Sequence, residues 1–213
     1  MKLEKEIEHL TQMVFKMADV VETNLKYAIG LYKEFDEEKY ELINDDVVDM
    51  HERLIEEMCL DIMIKERPYA KDLRVVTGIL KLVEDLERLG DHAEDISTFS
   101  RKLVGVKSIE IPNFDSTVDL ALEMVHDSVN SFVNKDDKLA SEVIKKDDII
   151  DESYDQIISY LINETEKGNC VPSFAIYMTL MIKYIERIAD HAVNVAEWVI
   201  YISSGFHKDK MIF

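Results

Sequence analysis

The sequence predicts an all-α protein made of two tandem, pseudo-symmetric three-helix bundles, and three observations predict it. Helix breakers are scarce, with 6 Gly and 3 Pro among 213 residues, so long stretches run without a stop signal. Apolar residues recur every three or four positions, the helical period, while the strict alternation of half-buried strands is absent. The chain also repeats itself: ERLGDHAEDI at Glu87–Ile96 returns as ERIADHAVNV at Glu186–Val195, displaced by 99 residues. Repetition of this kind marks a duplicated structural unit.

The first helix shows its stripe in Leu3, Ile7, Leu10, Val14, Met17, Val21, Leu25 and Ala28, a spacing that gathers them on one face. A break near Phe35–Glu37 precedes a second helix, roughly Glu38 to Lys65. ERPYAKDL supplies a turn, with Pro68 near the start of a third helix that ends about Leu103, since proline suits a first helical turn. GVKSIEIPNFD (Gly105–Asp115) has no helical period and contains Gly105 and Pro112, so it reads as the linker. The pattern then returns in helices over about Ser116–Asn134 and Lys138–Glu166, the turn KGNCVPSF, and a last helix over about Ser173–Ser203. The two halves are therefore residues 1–104 and 112–213. DDVVD (Asp45–Asp49) and DDIID (Asp147–Asp151) correspond at a displacement of 102.

Composition narrows the function. A net charge of −19 repels nucleic acid and anionic lipid, and favours cations or basic partners. Cys59 and Cys170 belong to no CxxC pair and read as reduced core thiols. MKLEKEIEHL is an amphipathic helix rather than a signal peptide. No apolar run reaches the ~20 residues that span a bilayer, so the expectation is a soluble intracellular protein. Neither GxxxxGK[ST] nor GxGxxG is present.

The repeated acids carry the chemistry. Asp45/Asp49, Asp147/Asp151, Glu87/Asp91 and Glu186/Asp190 are all i,i+4 pairs, one turn apart on the same helix face. Like charges so placed repel, so helix stability does not account for them. A hard cation does, because it wants several carboxylate oxygens converging on it. With Glu87 at zero on a helical wheel, Asp91 falls near 40° and the apolar set spreads over roughly 180–260°. The acids thus face the outer flank of a bundle. Arg88 and Arg187 recur beside them as local ion-pairing groups, Glu84 being a partner for Arg88. His92 and His191, about 140° from the leading Glu, read as packed or hydrogen-bonded rather than as ligands.

RPYAKDLR, DLERLGDHAEDI and YIERIADHAVNVAEWVIY, each following an acidic DDVVD or DDIID helix, resemble the PhoU family over essentially the whole chain. The resemblance implies metal bound on the bundle surface by Asp45, Asp49, Glu87 and Asp91 in one half and by Asp147, Asp151, Glu186 and Asp190 in the other. Asp95 and Asn194, at matching places, are candidate additional ligands. Iron, zinc, manganese or magnesium is implied, as is a non-enzymatic role. Such proteins link the ATPase of a phosphate-specific ABC transporter to a sensor histidine kinase and repress the phosphate-starvation response when phosphate is plentiful. They act in the cytoplasm at the inner membrane face, as homodimers, with no nucleic-acid partner.

Two other readings stay open at this level: a PhoU-like accessory of another anion transporter, and a ferritin-like di-metal oxidase. The latter needs paired ExxH motifs in one four-helix core. EIEH (Glu6–His9) and EMVH (Glu123–His126) are present, but at unmatched places. The halves also differ in charge. Glu94, Asp95 and Glu52 correspond to Val193, Asn194 and Tyr154. Affinity for hard metals rises with ligand charge, so the first half is expected to bind more ions, or to hold them more tightly.

Overall fold

The computed structural model describes residues 2–208 and 210–211. In chain order the elements are α1 (Lys2–Lys33), α2 (Glu37–Leu42), α3 (Asp45–Lys65), α4 (Lys71–Leu103), α5 (Phe114–Asn134), α6 (Asp137–Glu166) and α7 (Pro172–Ser204), followed by β1 (Phe206–His207) and β2 (Lys210–Met211). Met1, Ile212 and Phe213, the outermost positions of the predicted halves, lie outside the described residues. The chain is all-α apart from the last two elements, an antiparallel ribbon of two residues a strand. That ribbon follows the left-handed Gly205 (φ 86) that ends α7.

Six long helices match the six expected, with one correction. The predicted second helix, Glu38–Lys65, is two helices, because Ile43 and Asn44 are extended. The cause is local. The Asn44 side chain accepts from the Asp46 backbone N–H at 2.8 Å, and asparagine favours such caps over a helix interior. Its carbonyl is held as well, by the Asn24 amide at 3.3 Å. A smaller difference lies at the turn before α4. Arg67 (φ 48) and Ala70 (φ 47) are left-handed, so α4 begins three residues after Pro68, whereas Pro172 is the first residue of α7.

In the first half α1, α3 and α4 pack on one another, and in the second α5, α6 and α7 do. The halves join through α4 on α7 and α1 on α5, so a single apolar core runs through both. Each buried Leu or Ile in it contributes roughly 1.5–3 kcal/mol. The stripe of α1 (Leu10, Val14, Val21, Leu25, Ala28) returns in α5 as Phe114, Val118, Val125, Val129 and Phe132, all buried.

Contacts across the junction show how the halves are related. Glu22 and His126, equivalent positions of those stripes, touch each other at 3.2 Å. His92 and His191, equivalent in the repeated decapeptides, have ring centroids 5.3 Å apart. A residue meets its own counterpart only where a two-fold relation passes between them. The same relation pairs Asp85 on α4 with Asn194 on α7, and Asp95 on α4 with Tyr184 on α7.

Candidate metal centre

The acids of the first half line the groove where α3 lies against α4. Asp49, Glu52 and Glu87 each bring an oxygen into one cluster, all within 4.8 Å of one another. Asp49 and Glu52 are i,i+3 on α3, so they share a face, and Glu87 reaches them from α4. One turn along, the carboxyl of Asp45 lies against that of Asp91. Gly90 makes this approach close: a Cβ there would stand 3.0 Å from Asp45 Oδ1 and 3.1 Å from Val48 Cγ1. The site sits on the flank, as the wheel predicts, with the side chains of Glu87 and Asp91 16% and 32% exposed.

The cluster carries more negative charge than its surroundings offset. Burial, then the Asp91 carboxyl, pushes Asp45 up to about 7. Burial, then Glu87, does the same to Glu52, also to about 7. Glu87 is raised as well, by burial and Asp91. Among the described residues Arg88 is the cation that pairs with the cluster, at 2.8 Å from Asp91 and 3.4 Å from Glu87; its expected partner Glu84 is instead paired with Lys81 at 3.3 Å. Asp45 Oδ1 is buried and has no hydrogen-bond partner among the described residues. An orphaned carboxylate oxygen beside three converging carboxylates is a donor set that fits a hard cation. Asp49, Glu52 and Glu87 would hold one such ion, with Asp45 and Asp91 offering oxygens one turn along, and it would supply the positive charge they lack.

The second half repeats the backbone of this site with a different charge. Asp147 is pushed up to about 6 by burial, then by Asp190 and Asp151, so the layer equivalent to Asp45/Asp91 is again crowded with carboxyls. The other layer differs. Glu186 is salt-bridged to Lys183 at 2.5 Å, and the position of Glu52 is occupied by Tyr154, over whose ring the Lys183 ammonium lies at 5.3 Å. Among the described residues, only the first half brings three ligand atoms together.

The remaining candidates serve the junction between halves. Asn194 donates its amide to Asp85 Oδ1 at 3.0 Å and turns its carbonyl toward Lys208 at 3.5 Å. Asp95 lies beside the Tyr184 hydroxyl. Both of these extra ligand candidates therefore face the α4–α7 seam. Asp85, an acceptor only when ionised, also meets His191 Nδ1 at 2.9 Å and Trp198 Nε1 at 3.2 Å. His92 is buried with neither ring nitrogen hydrogen-bonded among the described residues. Burial, then His191, lowers it to about 4, so it packs as a neutral ring. The ExxH motifs do not meet in a core: His9 is exposed, Glu123 binds Lys146 at 2.9 Å, and His126 pairs with Glu22. Cys59 and Cys170 are free and buried, and burial pushes the Cys59 thiol up to about 12.

Fold and site together define a duplicated helical-bundle protein with carboxylates gathered on its flank. The family model for the PhoU domain matches residues 14–99 and 115–199, and the chain belongs to the PhoU family. It is 39% identical over 208 residues to the phosphate-specific transport system accessory protein PhoU homolog of Aquifex aeolicus, covering 96% of this chain and 94% of that one. Identity to PhoU homolog 1 of Thermotoga maritima is 32% over 207 residues, covering 95% and 89%. The crystal structure of the phosphate transport system regulatory protein PhoU from Streptococcus pneumoniae is similar at a TM-score of 0.90 and 25% identity, covering 98% of this chain and 100% of that one. PhoU from Pseudomonas aeruginosa gives a TM-score of 0.89 at 28% identity, covering 95% and 99%. This is a family of accessory and regulatory proteins, not of enzymes. No helix among the described residues is long and apolar enough to cross a membrane.

Proposed function

We propose that this chain is a metal-binding, non-enzymatic regulator of phosphate uptake and phosphate-starvation signalling. It links the ATPase of a phosphate-specific ABC transporter to a sensor histidine kinase at the inner membrane face. When phosphate is plentiful it represses the starvation response. The observation that carries this reading is the end-to-end likeness, in both halves, to accessory proteins of phosphate-specific transport. The ligands are Asp45, Asp49, Glu87 and Asp91, with Glu52 included for its place beside Asp49 and Glu87, and in the second half Asp147, Asp151, Glu186 and Asp190. Iron, zinc, manganese or magnesium suits such oxygen-rich sets. The working form is a cytoplasmic homodimer that reaches the membrane through its partners.

Deleting the gene tests the regulatory role. Phosphate-starvation genes are expected to switch on in phosphate-rich medium and to be silenced again by the restored gene. Unchanged expression in the deletion strain contradicts the reading. Derepression of a different uptake system would assign the chain to another anion transporter.

A further inference from the structure

The two acidic sites can be compared layer by layer. In the outer pair, Asp45 and Asp91 correspond to Asp147 and Asp190, and all four are carboxylates. In the other layer, Asp49, Glu52 and Glu87 correspond to Asp151, Tyr154 and Glu186, while Glu84 corresponds to Lys183. The change from Glu84 to Lys183 reverses a charge one turn from the leading glutamate. In the first half that turn carries Glu84, whose carboxylate is turned to Lys81. In the second, the ammonium is set on Glu186 at 2.5 Å and against the Tyr154 ring at 5.3 Å, both favourable for a cation. Lys183 donates that contact's hydrogen bond to the Glu186 carboxylate.

We propose that Lys183 is a resident cation of the second site, standing at Glu186 and Tyr154 where the first half gathers Asp49, Glu52 and Glu87 around a metal ion. The inference rests on the metal-binding reading above. Its consequence is a difference in stoichiometry. The first half takes a metal ion in each layer; in the second, Lys183 stands in for the ion at Glu186, so that of the ligands proposed above Asp147 and Asp190 hold the one remaining ion. Lys183 and Tyr154 then decide how many ions the chain holds, without altering its fold.

Manganese binding to the chelator-stripped full chain, counted by electron paramagnetic resonance of free Mn2+, tests this. The variant Tyr154→Glu/Lys183→Glu restores the first-half pattern and is expected to gain about one Mn2+ per chain. The reciprocal variant, Glu52→Tyr/Glu84→Lys, is expected to lose about one. Lys183→Gln, which deletes only the charge, is expected to tighten the weaker class of sites about tenfold. Circular dichroism melting confirms that each variant is folded, and the milder Lys183→Gln decides the matter if a double variant is not. If wild type binds Mn2+ but folded variants show its unchanged stoichiometry and affinities, Lys183 is not a resident cation and the metal-binding reading stands. If wild type and variants alike bind no Mn2+, zinc or iron, both are overturned.

Discussion

In the first half the helix carrying DDVVD is interrupted at Ile43–Asn44, and its acids begin at the N-terminus of α3. In the second half α6 runs unbroken through the equivalent Lys145 and Lys146, and Lys146 sends its ammonium to Glu123 at 2.9 Å and Asp127 at 2.8 Å on α5. Around the acidic sites the same contrast returns, with Glu52 and Glu84 in one half against Tyr154 and Lys183 in the other. Yet the apolar stripes of α1 and α5 stay in register, with Leu10, Val14, Met17, Val21, Leu25 and Ala28 matched by the likewise buried Phe114, Val118, Ala121, Val125, Val129 and Phe132. Close packing constrains the core tightly, whereas a charge on the flank changes with little effect on it. A duplicated fold can therefore keep its architecture while its two sites diverge.

The largest effect is expected at the seam, where the two-fold relation pairs unequal groups. Asp85 meets His191, Asn194 and Trp198, while its counterpart relation gives Asp95 the hydroxyl of Tyr184. Asp85→Ala leaves three partly buried donors without their acceptor and is expected to cost about 2–4 kcal/mol of stability. Asp95→Ala should cost about 1 kcal/mol or less. Equal losses in urea unfolding would show that the seam is not held by Asp85.

A second, smaller effect separates the two DD helices. Asn44→Ala removes the cap of α3 and is expected to cost about 1 kcal/mol. Lys146→Ala caps nothing in α6 and should move stability less. The reverse order in thermal melts would remove the cap as the cause of the break.

The smallest effect is a pH dependence. Asp45 and Glu52 titrate near 7 and Asp147 near 6 in the folded chain, above the ordinary 3.8 and 4.5. Folded protein then holds protons that the unfolded chain has released. The stability due to these groups is complete below about pH 4 and is lost as pH rises through about 6 to 7. Metal-stripped protein is expected to melt a few degrees higher near pH 5.5 than near pH 8. Saturating manganese should diminish the difference or reverse it. A metal-free melting temperature that does not fall over this range would mean that the acids are not crowded.

The sequence made the long helices and the repeated acids legible because both depend on local period and spacing. Glu87, Asp91 and their counterparts sit on the outer flank for the reason the wheel gives. The break at Asn44 was harder to see, since a cap competes with a helix only through side-chain geometry. Glu52 carried a signal, its i,i+3 spacing from Asp49, but that spacing is common in a chain with 44 acids. Asp85 carried none, because its partners lie 106 to 113 residues away. The same holds for Asp95 and Asn194: their sequence neighbours place them near the acids, and only the packing of α4 on α7 turns them to the seam. Spacing offers Arg88 the partner Glu84, but it offers Asp91 equally, and Asp91 and the adjacent Glu87 are the two it meets.

The central claim is that local charge makes the first site the stronger one. Metal analysis of two variants, Glu87→Ala/Asp91→Ala and Glu186→Ala/Asp190→Ala, after identical chelation and reloading with manganese, tests it most directly. The first variant is expected to lose more metal than the second, because it dismantles the half in which Asp49, Glu52 and Glu87 converge. Equal losses, or a greater loss from the second variant, would contradict it.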